Sequence, residues 1–357
     1  MTQLDHAVPR RRRRLAAGGA AALGALLLGA TLPPAGAAVA DPPFRDPDLP
    51  LEQRVEDLIS RLTLEEKVSL MHQWQPEIER LGLPAFRTGT EALHGVAWLG
   101  EATVFPQAIG LGATWDPELL GRVGEVVGTE ARGFHHLDPD FHGLNLWAPV
   151  VDLLRDPRAG RNEEGYSEDA HHTGVMSTAY AGGIQGDDET YLRAAPTLKH
   201  FIGYNNEVER DRTNSSLPPR ALHEYWLPSF EEALSAGAAN GIMASYNLVN
   251  GRPAHLSPLI EHARTWSEEE LLVVSDASAP GNVVDAQESY DPHAEGPAAL
   301  VRAGIDSFTD RGEDSSFTIG HLTDALEQGL LTEEDLDGAL RHMLPVRFRL
   351  GDFDPPG

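Results

Sequence analysis

The chain of 357 residues contains no cysteine and only two lysines, Lys67 and Lys199. Without cysteine there is no disulfide, no thiolate nucleophile and no thiolate metal ligand. Cations as a whole are scarce: 28 Lys and Arg stand against 55 Asp and Glu, a formal net charge of −27 at pH 7. Residues 1–40 hold five of the arginines and one aspartate, so the remainder stands at −31. Such a surface repels nucleic acid and anionic membranes and suits a soluble protein with a neutral substrate. A residue type this rare draws notice when it stands at the end of an apolar run, as Lys199 does. No repeat, low-complexity tract or linker interrupts residues 41–357.

What is present begins with a basic run, Arg10 to Arg14, followed by the apolar Leu15 to Leu32. Ala35-Gly36-Ala37 and Ala38-Val39-Ala40 then offer small-x-small cleavage sites. This is the pattern of a secretory signal peptide over residues 1–40, cut before Asp41, and it implies a secreted, extracellular protein. The interrupting glycines and Pro33-Pro34 weigh against a membrane anchor. The part that folds is then 41–357, about 317 residues, the size of one barrel domain.

Along that part, apolar runs alternate with amphipathic stretches. Strands are expected near 85–88, 110–113, 144–151, 196–202, 241–246, 271–275 and 305–308. Helices are expected over 51–72, 117–135, 169–184, 220–235, 295–303, 319–328 and 333–350. Thr63 with Glu66 reads as a capping box, and Asp116-Pro117 as an N-cap with proline at the first helical position. Strand–helix alternation argues for a parallel sheet with right-handed crossovers. Seven or eight such units fit a (β/α)8 TIM-like barrel better than an open sheet. No G-x-G-x-x-G turn follows the first strand, which weakens a dinucleotide-binding reading. Several apolar runs end abruptly in reactive residues: Lys199-His200, Ser245-Tyr246 and Ser275-Asp276. In a barrel those ends share one mouth. A carboxylate there, among cations and a phenol, is what glycoside cleavage uses. The pairs His135-His136 and His171-His172 cannot face one metal from a helix and are expected to be solvated.

The motifs Glu91-Ala-Leu-His-Gly-Val96, Gly112-Ala-Thr-Trp-Asp116, Arg155-Asp-Pro-Arg158, Gly160-Arg161, Lys199-His-Phe201, Asn205-Asn-Glu207, Ser245-Tyr-Asn247 and Ser275-Asp276 occur in this order. Jointly they resemble the N-terminal barrel domain of glycoside hydrolase family 3, a family of exo-acting β-glucosidases, β-xylosidases and related enzymes. The resemblance implies that Asp276 is the nucleophile. It implies that Glu91, Arg158, Lys199, His200, Arg210 and Tyr246 bind the sugar. It implies no metal and no organic cofactor, and as partner a β-linked oligosaccharide or glycoside rather than nucleic acid or membrane. The Glu-Ala-Leu-His-Gly version is frequent among xylosidase-like members, while Ala277 stands where many members carry Trp. Glucose and xylose both stay open.

Many members of that family continue into a second α/β sandwich domain that supplies the general acid. Here the sequence stops at Gly357, so the expectation is a barrel on which such a C-terminal domain would dock. Single-domain β-N-acetylhexosaminidases instead carry a histidine in the loop after the Lys-His strand, and the loop Gly203 to Arg212 has none. Glu207 and Glu209 are the acids in that loop. Three readings follow: a retaining exo-β-glycosidase, a sugar-binding remnant of one, and a hexosaminidase.

Overall fold

In the computed structural model residues 41–290, 293–310 and 312–354 are described, and the expected signal peptide lies outside them. Residues 41–357 form one compact unit. The strands are β1 (Trp74–Gln75), β2 (Phe86–Thr90), β3 (Asn145–Leu146), β4 (Ala195–Phe201), β5 (Asn214–Ser215), β6 (Gly241–Ala244), β7 (Leu248–Val249), β8 (Arg252–Pro253) and β9 (Leu272–Ser275). The helices are α1 (Leu51–Arg61), α2 (Leu64–Ser69), α3 (Ala108–Gly112), α4 (Pro117–Leu137), α5 (Ala170–Gln185), α6 (Pro219–Ala221), α7 (Pro228–Ser235), α8 (Leu259–Arg264), α9 (Ala279–Asp285), α10 (Glu295–Arg302), α11 (Ser316–Glu327) and α12 (Glu333–Arg349).

Strands β2, β3, β4, β6 and β9 lie side by side in that order, all parallel. β1 pairs antiparallel with β2. The sheet curls and closes: Val274 of β9 bridges Ser307, and Phe308 bridges His72 just before β1. Two backbone bonds of 2.8 Å, Phe308 N–H to Met71 and Gln73 N–H to Phe308, seal the ring. This is a TIM-like (β/α) barrel, and its parallel strands deliver their C-terminal ends to one face.

Local chemistry sets the element ends. Thr63 and Glu66 satisfy each other's backbone donors at the start of α2, and Thr332 and Asp335 do so for α12. Asp116 caps α4 ahead of Pro117, and Asp169 caps α5. Helices α4 and α5 cross closely because glycines meet there: a Cβ on Gly124 would lie 2.1 Å from the Tyr180 carbonyl oxygen. Three expectations change. Residues 110–113 are helical, in and just after α3, where Gly112 lets the Tyr166 carbonyl approach to where a Cβ would clash at 2.2 Å. The helix expected over 51–72 is two, because Thr63 starts a new one. The helix expected over 220–235 is α6, a π-helical turn at Leu222–Trp226 and α7; Pro228 has no N–H to continue the ladder.

Candidate active site

Asp276 follows β9 directly, and its N–H reaches the Ala244 carbonyl at 3.2 Å, so strand pairing carries it to the mouth. The side chain is buried. Oδ1 accepts the Ala277 N–H at 2.7 Å. Oδ2 is shut away with no donor among the described residues, 3.7 Å from Nε2 of His200. A buried carboxylate oxygen left without a donor is unfavourable, and such sites concentrate where chemistry is done. Burial pushes the Asp276 pKa up, while Lys199, the Ala277 N–H, Arg161 and Tyr246 pull against it.

Lys199 and His200 end β4. Lys199 is 2% exposed and holds both Glu91 oxygens, at 2.9 and 2.8 Å. His200 Nδ1 lies 2.7 Å from Oδ2 of Asp152, and Nε2 lies 3.0 Å from Nη1 of Arg161. Burial, then the cations Arg161, Lys199 and Arg210, push the His200 pKa well below its usual range, so the ring is neutral. Burial works against the charge of Arg161, but the Glu164 carboxylate outweighs it and raises the pKa. Glu164 takes Nε of Arg161 at 2.7 Å and Nη2 at 2.5 Å.

A second wall comes from Tyr204, Arg210 and Tyr246. The Tyr204 ring meets His200 edge-on at 4.9 Å and stands 5.9 Å from the Tyr246 ring. Its hydroxyl donates to Glu207. The Arg210 guanidinium lies 4.0 Å over the Tyr246 ring and donates to Glu207 at 3.2 Å. Tyr246 donates to the Ala277 carbonyl at 2.9 Å, beside the carboxylate; burial, then the Asp276 charge, raise its pKa.

The structure thus links Glu91, Lys199, His200, Tyr246, Arg210 and Asp276, six of the seven residues expected from sequence. Arg158 does not join them. Its side chain is 88% exposed and folds back on Asp156, with Nε and Nη2 at 2.9 and 2.6 Å from the two carboxylate oxygens. An acceptor two residues away captures it locally. The arginine that reaches the site is Arg161, three residues on. Sequence reasoning also passed over Asp152, Glu164 and Tyr204. Asp152 ends the apolar run after β3, so the strand-end rule applied to the other runs would have found it. Each histidine pair has one exposed member as expected, His136 and His171, and one that is not. His172 is buried, with Nε2 2.9 Å from the Gly112 carbonyl and its ring 3.9 Å from that of Trp115. His135 is half-buried against the His142 carbonyl at 2.9 Å. Among the described residues no group of three or more His, Asp or Glu is placed to hold a metal ion, and no helix is long and apolar enough to cross a membrane.

The barrel's strand ends thus gather a buried carboxylate, a Lys-His pair and an arginine at one mouth, and the comparisons with known proteins give this barrel a family. The family profile described as glycosyl hydrolase family 3 N terminal domain matches residues 54–346. The chain belongs to glycosyl hydrolase family 3. It is 36% identical to "Probable beta-D-xylosidase 7" of Arabidopsis thaliana, over 86% of this chain and 42% of that protein. Among solved structures it resembles "GH3 exo-beta-xylosidase (XlnD) in complex with xylobiose aziridine activity based probe", with a TM-score of 0.79 and 28% identity over 87% of this chain and 42% of that one. It also resembles beta-glucosidase 3B from Thermotoga neapolitana in complex with glucose, with a TM-score of 0.69 and 27% identity over 84% of this chain and 44% of that one. The chain therefore spans less than half the length of these relatives.

Proposed function

We propose that this chain is the nucleophile-bearing barrel of a secreted, retaining exo-β-glycosidase that removes terminal β-linked xylose or, second, glucose. The observation that carries the reading is Asp276: a buried carboxylate with one unoccupied oxygen, at a barrel mouth, beside a neutral His200 and within the field of Lys199 and Arg161. In this reading Asp276 Oδ2 attacks the anomeric carbon as the bond to the leaving oxygen breaks, giving a covalent glycosyl ester. Water then cleaves the ester and restores the original configuration. The Glu91–Lys199 and Arg161–Glu164 pairs present fixed acceptors and donors to sugar hydroxyls. Xylose is placed first because of the xylosidase relatives and the Glu-Ala-Leu-His-Gly motif. The basic and apolar runs within residues 1–40 support export.

Four other carboxylates around the mouth are held by positive or donating groups: Glu91 by Lys199, Asp152 by His200, Glu164 by Arg161 and Glu207 by Arg210. Oxygens taken up by these partners are poorly placed to hand a proton to a leaving group; Asp152, whose pKa burial pushes well up, is itself turned to the ring and backbone N–H of His200. Activated aryl glycosides, whose leaving groups need no proton, are accordingly the better substrates for this chain, and disaccharides fall behind by about 10²–10⁴-fold. The test is Asp276→Ala on an aryl β-xyloside and β-glucoside, with and without azide. Turnover should fall on the order of 10³-fold or more, with azide restoring cleavage as a glycosyl azide. Near-normal hydrolysis by Asp276→Ala without azide would remove the nucleophile assignment. No cleavage at all by the parent chain, with sugar still bound, would leave a binding module.

A further inference from the structure

We infer that Asp152 is a positioning residue that fixes the tautomer of His200 and thereby keeps Oδ2 of Asp276 free of a hydrogen bond. The inference rests on Asp276 being the nucleophile. Arginine can only donate. Nη1 of Arg161, 3.0 Å from Nε2 of His200, therefore needs a lone pair there. A neutral imidazole has one N–H, so it sits on Nδ1 and donates to Oδ2 of Asp152 at 2.7 Å. The same carboxylate accepts the backbone N–H of His200, with its two oxygens at 3.3 and 3.4 Å. Ring and main chain are thus held by one side chain, and both residues are buried. The Tyr204 ring closes in edge-on at 4.9 Å.

Remove Asp152 and Nδ1–H becomes a buried donor without an acceptor, an unfavourable state. The imidazole escapes by carrying its proton on Nε2 instead. The carboxylate waiting there is Asp276, whose Oδ2 is 3.7 Å away and otherwise unpaired. A small shift makes that a hydrogen bond. It would tie up the lone pair that attacks the sugar and set an N–H against the Arg161 donor. Asp152 thus acts two bonds away from the chemistry, through which nitrogen of His200 bears the proton.

The test uses the full chain labelled with ¹⁵N-histidine, as wild type, Asp152→Ala and the isosteric Asp152→Asn, with His200→Gln to assign the signal. Nitrogen shifts report the tautomer in the free protein. In parallel, a 2,4-dinitrophenyl 2-deoxy-2-fluoro-β-glycoside (xylo and gluco forms) traps the nucleophile, with a leaving group that needs no acid, and peptide mapping identifies the labelled residue. Wild type should show Nδ1–H. Asp152→Ala should show Nε2–H, with labelling at saturating reagent slowed by about 10–100-fold, the scale of loss when a carboxylate that orients a metal-bound histidine is removed. Asp152→Asn covers the case in which the alanine variant does not fold. Its labelling rate should match wild type if it keeps Nδ1–H and fall if it shows Nε2–H. Nε2–H in the wild type, or any folded variant with Nε2–H labelled at the wild-type rate, overturns the inference. A label mapping to a residue other than Asp276 would instead defeat the nucleophile reading and leave the tautomer result standing.

Discussion

The two ends of the barrel handle buried charge in opposite ways. At the base, Arg347 of α12 is fully buried and fully used, donating to Asp352 at 2.9 Å, Gln75 at 3.0 Å and the Pro84 carbonyl at 2.8 Å. Asp306 is likewise saturated by Arg264 at 3.0 Å, the Val273 N–H at 2.8 Å and His342 Nδ1 at 3.0 Å. At the mouth, Asp276 keeps one oxygen with no donor. A charge that is fully paired holds the fold together, whereas one left short is held ready for something that is not yet bound. On the proposed reading of Asp276, stability and function separate along the barrel axis.

The largest test of that separation is Asp276→Ala, expected to lose on the order of 10³-fold or more in aryl-glycoside turnover, about 4 kcal/mol of barrier, without lowering the melting temperature. Arg347→Met should do the reverse. It leaves Asp352 and Gln75 unpaired in the base and should destabilise by about 3–5 kcal/mol in denaturant melts, with little change in kcat for the folded fraction. Next, Arg161→Ala should lower kcat/KM by about 10–100-fold, since a hydrogen bond from a charged donor contributes roughly 1.5–3 kcal/mol. Arg158→Ala should stay within about twofold, as an exposed residue away from the site. Equal losses in the two would erase the distinction between them.

The smallest effect is read through pH. Burial raises the Asp276 pKa, so the folded state favours the protonated carboxyl more than the unfolded chain does. Stability from this group is complete below the unfolded value of about 3.9 and is lost as pH rises through the raised folded value. Asp276→Asn removes that penalty, so its melting temperature should exceed the wild type by a few degrees at pH 7. The gap should close as the solution is acidified and wild-type Asp276 takes up its proton. A gap that widens on acidification would place the carboxyl's pKa on the other side of its usual value. His200 runs the other way. Its lowered pKa means stability falls as pH drops below about 6.5, where the unfolded chain protonates first.

Much of this architecture is visible in the sequence where periodicity or abrupt contrast speaks. The apolar runs ending in Lys199-His200 and Ser275-Asp276 become β4 and β9 with those residues at the mouth, because a parallel strand can point its end in one direction only. Capping residues mark the starts of α2, α4 and α12 for the same local reason. What stays hidden lies in loops. Arg155-Asp-Pro-Arg158-Ala-Gly-Arg161 offers three arginines at similar spacing, and which one turns inward depends on Asp156 capturing Arg158 and Glu164 steering Arg161. Gly160 was the available hint: a Cβ there would meet Glu207 at 2.4 Å, so the two mouth loops touch at that point. The role of Asp152 needed the distance to His200, which no spacing in sequence expresses.

The two lysines lend the molecule a use in measurement. Lys67 is shielded at 4% exposure between Glu333 and Asp337 of α12, and Lys199 at 2% behind Glu91. The chain's whole supply of side-chain amines is thus locked in ion pairs, one in the helical shell and one at the mouth where the strands end. An amine-acylating reagent would modify them only during openings that free the ammonium, at rates set by how often each region opens. Two masses in one spectrum would then compare the breathing of the shell with that of the mouth, in a protein that needs no engineered probe to report it.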